Sequence, residues 1–402
     1  MFRIRLKVRK TFASSSVAPE VLCFSHLRWN FVYQRPQHIL TRFQRHTNVH
    51  YWEEPTFAAV DIPELKISTT DLGVRVLTPV LPLALAGPAS VTTQRSLLDA
   101  YIAEHISTPF YSLYYTPMAL AFSDHLYPKL SIYDCMDELA AFIGAPAELL
   151  DRERQLFDRT DVVFTGGASL YAAKHKEHPN VHLFASSVDT AHFGRARTPR
   201  TDPADQQEVP YPRIGFFGVL DERLDTKLLG EVANAHPEWQ FVLIGPVVKI
   251  SDAQLPHSGN IHYLGKKEYR ELPDYIANWD VAMLPFARNA STRFISPTKT
   301  PEYLAAGKRV VSTPIQDVVT PYGESGLVAI AQDAAEFGEA IAACLTPSQQ
   351  TNWKTQVDQF LAKMSWDRTV DEMWQEIQRC AAEKANKHTT FLSATEESSP
   401  YV

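Results

Sequence analysis

Short runs of β-branched and aromatic residues alternate with amphipathic segments along most of this sequence. Runs typical of buried strands include EVLCFSH (20–26), LSIYDCM (130–136) and DVVFTGG (161–167), and stretches with helical spacing of apolar residues lie among them. Strands that alternate with helices of about ten residues or more pair in parallel, because a parallel partner needs a long crossover connection. The pattern therefore predicts an α/β protein built on doubly wound parallel sheets.

The alternation is interrupted once, by a polar segment near the middle of the chain. GRARTPRTDPADQQEVPYP (194–212) is rich in Pro, Asp and Arg, and the strand pattern restarts with RIGFFGVL (213–220). A chain of 402 residues is also longer than one hydrophobic core usually supports. We therefore predict two Rossmann-like domains. The predicted limits are a basic N-terminal extension (1–19), a first domain (20–195), a linker (196–211), a second domain (212–364), a C-terminal crossing helix (365–383) and a disordered tail (384–402).

Composition limits the classes of function. The formal net charge is −7, so the chain as a whole lacks the basic face that contacts with nucleic-acid phosphates require. The four cysteines are widely spaced, which is typical of reduced cytoplasmic thiols and not of a disulfide framework or a zinc site. No apolar run is long enough to predict a membrane-spanning helix. We expect a cytoplasmic protein without nucleic-acid partners.

The first ten residues, MFRIRLKVRK, contain five basic side chains and no acidic one. They lack the apolar core of a signal peptide. Two interpretations are open: a solvated chain end, or a peripheral contact with anionic lipid at the inner face of the plasma membrane.

One loop combines a cation and a carboxylate at a predicted helix start. SPTKTPEYLAAGKRVV (296–311) follows the strand DVAMLPF (280–286), and the helix is expected to begin near Pro301. Ligands of doubly wound sheets bind at the carboxyl ends of the strands, and free N–H groups at a helix start favour phosphate. Lys299 adds a positive charge there, and Glu302 can accept hydrogen bonds from vicinal hydroxyls such as those of ribose. The loop favours a nucleotide site; the alternative is a surface helix with good capping.

The same stretch resembles the donor-binding signature of GT-B glycosyltransferases, and it is most similar to glycosyltransferase family 4, in which Ser-Pro-x-Lys-x-x-Glu-Tyr-x-Ala-x-Gly-Lys recurs. FSHLRWNFVYQRPQHILTRF (24–43), YDCMDELAAFIGAP (133–146) and SWDRTVDEM (365–373) are similar to a bacterial branch that acts on cell-surface polysaccharides. The resemblance covers about residues 20–380. It implies two Rossmann-like domains that face each other across a cleft, with the C-terminal helix packing back toward the first domain.

The resemblance implies that the second domain binds a nucleoside diphosphate-sugar donor. Lys299 and the helix start would contact the diphosphate, and Glu302 the ribose. Many family members have another glutamate eight positions earlier, but this chain has Phe294 there, so the motif leaves the sugar contact unassigned. The donor-binding residues implied are Arg223, Lys227, Tyr269, Ser296, Pro297, Lys299, Thr300 and Glu302.

Two of these assignments compete with simpler structural roles. Either Arg223 or Lys227 would reach the diphosphate, but Asp221 and Asp225 flank Arg223, so a surface ion pair is equally compatible with the sequence. Tyr269 would pack on the base, or would close a helix onto the core.

In such enzymes the first domain holds the acceptor. Polar and aromatic residues follow its first strand, and we expect His26, Arg28, Trp29, Gln34 and Arg35 on the acceptor side. The alternative is that Trp29 packs as a hydrophobic staple at a helix start.

Three carboxylates follow the strand at 130–136, namely Asp134, Asp137 and Glu138. One of them would deprotonate the acceptor hydroxyl, provided that its surroundings raise its pKa toward neutrality. Capping of a helix by Asp134 or Asp137 is the alternative.

The sequence thus predicts a glycosyltransferase of the hexosyltransferase type. It would move a sugar from a nucleoside diphosphate-sugar to a glycan or lipid-linked acceptor in surface polysaccharide synthesis. Retention of configuration and independence of metals and other cofactors are implied by the resemblance, since Lys, Arg and helix termini would neutralise the leaving diphosphate. The alternatives are a non-catalytic nucleotide-sugar-binding or scaffold subunit, and a GT-B epimerase.

Overall fold

The computed structural model describes residues 19–107, 109–346 and 350–397, with side chains up to residue 387 except at 350 and 351. The basic segment 1–10 lies outside these ranges. Within them, no helix is both long enough and apolar enough to cross a membrane. The sheets fall at residues 20–183 and 213–330, one in each predicted domain.

The first sheet lies mostly in parallel register. Its described strands are β1 (Glu20–Phe24), β2 (Val49–Trp52), β3 (Thr56–Ala58), β4 (Glu64–Thr69), β5 (Arg75–Pro82), β6 (Phe110–Tyr114), β7 (Leu130–Cys135), β8 (Val162–Thr165) and β9 (Val181–Leu183). They are ordered β3-β5-β2-β1-β6-β7-β8-β9, and β4 adds an antiparallel edge to β5. β1 is buried along its whole length between β2 and β6, so the loop after β1 begins where the strand order reverses.

The second sheet is parallel throughout its described strands. These are β10 (Arg213–Phe217), β11 (Gln240–Ile244), β12 (Ile261–Tyr263), β13 (Val281–Leu284), β14 (Arg309–Ser312) and β15 (Val328–Ile330). Their order is β12-β11-β10-β13-β14-β15, which reverses beside β10. The loops after β10 and β13 therefore leave the sheet at the position where doubly wound folds bind ligands. The predicted α/β class is confirmed.

Helices cover both sheets. They are α1 (Arg35–Phe43), α2 (Ala89–His105), α3 (Leu120–Ser123), α4 (Leu149–Arg159), α5 (Ala168–Lys174), α6 (Thr190–Gly194), α7 (Thr226–Ala235), α8 (Leu272–Ala277), α9 (Lys299–Ala305), α10 (Gln316–Val318), α11 (Ala334–Leu345), α12 (Gln350–Leu361) and α13 (Trp366–Glu397).

The last helix, α13, returns to the first domain as predicted. Trp366, Val370, Met373 and Ile377 recur at helical spacing and are buried in a cluster with strand residues of the first sheet. The predicted helix end at residue 383 is wrong, because α13 continues to Glu397 through part of the segment that we expected to be disordered. Good helix formers such as Ala, Glu and Lys follow residue 380 without Gly or Pro, which explains the extension.

The predicted linker (196–211) is bound to the second domain. The buried side chain of Gln206 accepts a hydrogen bond from Trp279 Nε1 at 2.9 Å, and buried Arg213 pairs with Asp202 at 2.8 Å. The polar composition of this segment therefore reflects specific hydrogen bonds to the domain and not only solvation.

Candidate active site

Two neighbouring cavities lie between the carboxyl ends of the sheets. The smaller cavity, of about 410 Å³, is lined by both domains and includes Gly218, Lys299 and Glu302. The larger cavity, of about 930 Å³, is lined mainly by the first domain. Asp137 and Arg223 line both cavities, one from each domain. A ligand in the smaller cavity and a ligand in the larger one would therefore meet beside these two side chains.

Lys299 lies over the end of β10. A Cβ atom built on Gly218 would be 2.2 Å from Lys299 Cε and 3.0 Å from its Nζ. Gly218 also has a φ of +150°, and a Cβ on the adjacent Gly245 would be 1.7 Å from the Gly218 carbonyl oxygen. Only glycine fits at position 218, where the ends of β10 and β11 and the Lys299 side chain approach each other this closely. The sequence analysis missed Gly218, although a lone glycine directly after a buried strand was a usable signal.

The helix that contains Lys299 and Glu302 begins earlier than predicted. α9 starts at Lys299 and not near Pro301, so Pro301 occupies the third helical position, within the first turn that lacks intrahelical N–H partners. With seven residues α9 is short. The two charged side chains are therefore the main chemical features of this end of the cavity.

Lys299 and Glu302 both line the smaller cavity, and each influences the pKa of the other. Glu302 is only 4% exposed, and its Oε2 has no hydrogen-bond partner among the described residues. Burial raises the pKa of Glu302, whereas the Lys299 ammonium opposes that shift. Burial likewise lowers the pKa of Lys299, and the carboxylate of Glu302 counteracts it. An anionic ligand beside Lys299 would stabilise its charged form.

Of the two predicted cations after β10, only Arg223 lines the cavities. Its guanidinium pairs with buried Asp221 through Nη2–Oδ2 at 2.7 Å and Nε–Oδ1 at 3.0 Å. Lys227 lies outside the two cavities, with a side chain that is 85% exposed and 3.7 Å from Glu231, so the structure does not bring it together with Arg223 and Lys299. α7 begins at Thr226 and turns Lys227 toward solvent. The predicted ion pair of Arg223 is present, and it fixes the side chain that reaches both cavities.

The three predicted carboxylates have different surroundings, and two of them are bound in ion pairs. Asp134 is fully buried and receives a bidentate contact from Arg35, with Nη2–Oδ1 at 2.8 Å. Glu138 pairs with Lys174 at 2.9 Å, on the side where Lys174 also contacts Glu153. Neither side chain lines either of the two cavities, which favours a structural role for both.

Asp137 is the carboxylate that faces both cavities. Removal from water raises its pKa to about 6; the Arg223 and Lys299 charges oppose this shift, and Asp221 adds to it. A carboxylate with a pKa near 6 is unprotonated at neutral pH and still basic enough to accept a proton. The geometry therefore selects Asp137 among the three candidates.

The residues predicted on the acceptor side divide into cavity and core positions. His26 and Arg28 line the larger cavity, and Gln34 lines both. Burial lowers the pKa of His26 to about 4, so its imidazole is neutral. The Arg28 guanidinium donates to the Pro55 carbonyl at 2.9 Å.

Trp29 and Arg35 border the smaller cavity but have structural partners. The Trp29 ring packs edge-on against Tyr51, and its backbone N–H donates to Glu53 at 2.8 Å, which favours a packing role for Trp29. Arg35 is held by the buried Asp134.

Tyr269 borders the smaller cavity, but both faces of its ring are covered. It stacks on Tyr33 of the first domain with centroids 4.5 Å apart and on His192 with centroids 4.1 Å apart. Because both faces are covered, the structure favours the alternative in which Tyr269 has a packing role. Tyr269 instead connects the two domains through an aromatic stack.

The remaining motif residues lie at the domain contact. Ser296 and Pro297 line the smaller cavity, and Ser296 also lies against Gly167 of the first domain. Thr300 is fully buried and does not line the smaller cavity, so the structure does not place it with the other predicted donor-site residues. The backbone N–H of Thr300 donates a hydrogen bond to the Pro297 carbonyl at 3.2 Å, in the turn that leads into α9. Phe294 packs against the apolar cluster around β1 and β6 in the first domain.

Part of the second domain matches a known family. Residues 211–347 match the family model described as glycosyl transferases group 1. TuaH of Bacillus subtilis (strain 168), named as a teichuronic acid biosynthesis glycosyltransferase, is 28% identical over 198 residues, which are 45% of this chain and 50% of TuaH. The chain thus matches about half the length of this curated relative.

Several solved structures share the fold over most of the chain. The E. coli trehalose-6-phosphate structure bound with UDP-2-fluoro glucose has a TM-score of 0.65 at 11% identity, and covers 90% of this chain and 99% of that one. Sucrose-phosphate synthase of Thermosynechococcus elongatus has a TM-score of 0.67 at 14% identity, over 91% of this chain and all of the other. HepE of Anabaena in complex with UDP and glucose has a TM-score of 0.63 at 12% identity, and the match covers 90% of this chain and 99% of HepE. The fold is the predicted GT-B arrangement.

Proposed function

We propose that the protein is a glycosyltransferase of the hexosyltransferase type that acts in surface polysaccharide synthesis. It would move a sugar from a nucleoside diphosphate-sugar to a glycan or lipid-linked acceptor. The observation that supports this most directly is the position of Lys299, which lies over Gly218 beside Arg223 and Glu302 at the carboxyl end of the second sheet.

Lys299 and Arg223 would bind the diphosphate. Both side chains line the smaller cavity from neighbouring loops. Charge-assisted hydrogen bonds to phosphate oxygens are stronger than neutral ones, and fixed cations stabilise the negative charge that develops on a leaving diphosphate. Because these cations would perform this role, we propose that transfer is independent of metals, and we expect the transfer rate to be unchanged by EDTA.

Glu302 would accept hydrogen bonds from ribose hydroxyls. Its unpartnered Oε2 belongs to a side chain in the wall of the smaller cavity. A buried carboxylate oxygen without a partner is energetically costly, and a hydroxyl donor would remove that cost. The bound UDP and UDP-sugar in structures of the same fold support uridine as the base to test first.

Asp137 would deprotonate the acceptor hydroxyl. It lies where the two cavities meet, so an acceptor in the larger cavity and a donor in the smaller one would place the hydroxyl beside it. The acceptor side would include His26, Arg28 and Gln34. Retention of configuration follows the family resemblance and is tested by assigning the anomeric proton of the product with NMR.

The decisive experiment measures ligand-induced thermal stabilisation by UDP, GDP, ADP and TDP, followed by transfer from the matching nucleotide sugars. Lys299→Ala should lose stabilisation by the preferred nucleotide, because a bound nucleotide stabilises only the folded state. Lys227→Ala is the matched control, since this lysine of the same domain lies outside the cavities. Equal nucleotide binding by Lys299→Ala and the natural protein would refute the proposed donor site.

A non-catalytic nucleotide-sugar-binding subunit is the second candidate. The observation in its favour is Phe294, which packs against the first domain at the position where many resembling enzymes have a glutamate. Nucleotide binding without transfer or hydrolysis of any nucleotide sugar would favour this candidate. An epimerase would instead release an altered sugar without an acceptor.

We retain two proposals about location, a cytoplasmic protein and a peripheral contact of the basic segment 1–10 with anionic lipid. Sedimentation with phosphatidylserine-containing vesicles tests the second. A chain that lacks residues 1–12 should sediment less than the full chain does, and equal sedimentation would rule out this segment as the anchor.

A further inference from the structure

The loop that follows β7 contains the candidate base and also a contact with the second domain. Asp137 lies two residues after the strand, and Phe142 lies five residues further along the same loop. The Phe142 ring is flanked by two cations of the second domain. The Arg223 guanidinium carbon is 5.2 Å from its centroid, and Lys249 Nζ is 4.9 Å from it. An aromatic face attracts such cations electrostatically.

A backbone hydrogen bond adjoins this contact. The N–H of Ile143 donates to Glu222 Oε1 at 3.1 Å, across the domain boundary. The side chain of Glu222 is 6% exposed, and it also pairs with Lys249 at 3.6 Å. Ile143 itself is 62% exposed, so its contribution to this contact is its backbone. Glu222 thus joins the first-domain loop to the cation that covers Phe142.

Lys249 is held in an unfavourable backbone conformation. Its φ is +65°, and no other non-glycine residue in the described ranges has a positive φ. A lysine there costs conformational energy, and such residues persist where the surrounding contacts hold them. The side chain of Lys249 contacts Glu222 and Phe142.

We propose that Phe142 and Glu222 are positioning residues for transfer. They fasten the loop that contains Asp137 to the loop that contains Arg223. The carboxylate of Asp137, which would accept the proton, and the guanidinium of Arg223, which would bind the diphosphate, thereby keep a fixed relative position. This inference rests on the proposed function for its catalytic consequence. The fastening itself depends only on Phe142, Ile143, Glu222, Arg223 and Lys249.

The position of the contact explains why it would affect chemistry more than binding. Phe142 and Lys249 line the larger cavity, whereas Lys299 and Glu302 line the smaller one. We expect Arg223 to keep its bidentate contact with Asp221 when Phe142 is changed, because that contact does not involve the ring. Loss of the ring would therefore release the Asp137 loop and leave the nucleotide contacts in place. A displacement of about 1 Å at a reacting group can reduce a rate by about a hundredfold.

The kinetic test compares Phe142→Leu with Phe142→Tyr. Leucine retains an apolar side chain but removes the aromatic face, and tyrosine retains that face. We expect Phe142→Leu to lower kcat by about tenfold to a hundredfold at unchanged nucleotide Kd, and Phe142→Tyr to restore the natural rate. A natural kcat in Phe142→Leu, or a loss of nucleotide affinity that accounts for its loss of rate, would overturn the proposal.

Amide hydrogen exchange tests the fastening independently of any activity. The Ile143 amide should exchange slowly in the natural protein and faster in Glu222→Ala and Phe142→Leu. Glu231→Ala is the matched control, because this exposed carboxylate of the same domain pairs only with Lys227 among the described ion pairs. If no transfer is found but the exchange pattern is as expected, the proposed function fails and the fastening stands. Equal exchange at Ile143 in the natural protein and Glu222→Ala would overturn the inference whatever the activity.

Discussion

Gly218 and Lys299 are in van der Waals contact, since a Cβ on Gly218 would lie 2.2 Å from Lys299 Cε. The backbone at the end of β10 thereby determines where the ammonium group of α9 lies. The loop after β10 and the loop after β13 approach each other closely because Gly218, which lies between them, has no side chain. They therefore form one binding surface.

Gly218→Ala should weaken nucleotide diphosphate binding by about tenfold to a hundredfold. The added methyl group must displace Lys299, and hydrogen bonds to charged groups contribute about 1.5–3 kcal/mol. Isothermal titration calorimetry with the preferred nucleotide measures the change. Gly259→Ala is the control, because a Cβ at Gly259 meets no atom within 4 Å. Equal affinity of the two variants would show that Lys299 is not needed in its present position.

The transfer rate should increase with pH through about 6 and reach a plateau above it. Asp137 acts as a base only when it is unprotonated, and its pKa is raised to about 6. Asp137→Asn should lower kcat by about a hundredfold to ten-thousandfold and remove this step from the pH profile. A profile that is unchanged in Asp137→Asn would assign the base to another group.

Asp137→Asn should also be more stable than the natural protein above about pH 7. Because the folded pKa of about 6 exceeds the ordinary value of 3.8, the folded protein binds more protons than the unfolded chain between these values. Stability from this group therefore falls as pH rises through that window. Chemical denaturation at several pH values measures the difference, which should vanish near pH 4. A variant less stable than the natural protein at neutral pH would contradict the burial of Asp137.

Asp134→Ala should destabilise the first domain by about 3–5 kcal/mol, because it leaves the buried guanidinium of Arg35 without its partner. Thermal unfolding followed by circular dichroism measures this loss. Asp151→Ala removes an exposed ion pair of the same domain with Arg154 and should change stability little. Similar melting temperatures for the two variants would mean that Asp134 is not a structural carboxylate.

Tyr269→Ala should cost about 3–5 kcal/mol of stability, since it removes a ring packed between Tyr33 and His192. Tyr269→Phe retains the stack and loses only a buried hydroxyl without a partner, so its melting temperature should not decrease. Differential scanning calorimetry distinguishes the two. A lower stability of Tyr269→Phe would show that the hydroxyl has a partner.

The sequence predicted the buried strands, because the apolar runs of β1, β7 and β8 are short, uninterrupted and bounded by helical patterns. It also located the loop of Lys299 at a strand end. It did not predict the short β3 or the mostly exposed β4, which lack such runs. It could not distinguish Asp134, near the end of β7, from Asp137, three positions further along in the loop that follows. Their difference arises from Arg35, which lies 99 residues away in the chain from Asp134 and neutralises it.

The positions of Lys227 and Tyr269 could not be predicted for a similar reason. The direction of Lys227 depends on the helical position at which α7 begins, and helix ends are weakly determined by local sequence. The Tyr269 ring is not free to pack on a base, because Tyr33 of the other domain covers one of its faces. Contacts between domains leave no local pattern, so neither this stack nor the Phe142 contact could be predicted.

The return of α13 to the first domain affects the order in which this chain can fold during synthesis. Trp366, Val370, Met373 and Ile377 complete an apolar cluster whose other members, such as Val21 and Ile132, are translated much earlier. Domains usually fold in sequence from the N-terminus as the ribosome advances. Here the domain that is synthesised first must keep an apolar surface uncovered until the second domain has also emerged. Its final packing therefore depends on a segment that is translated only after the second domain.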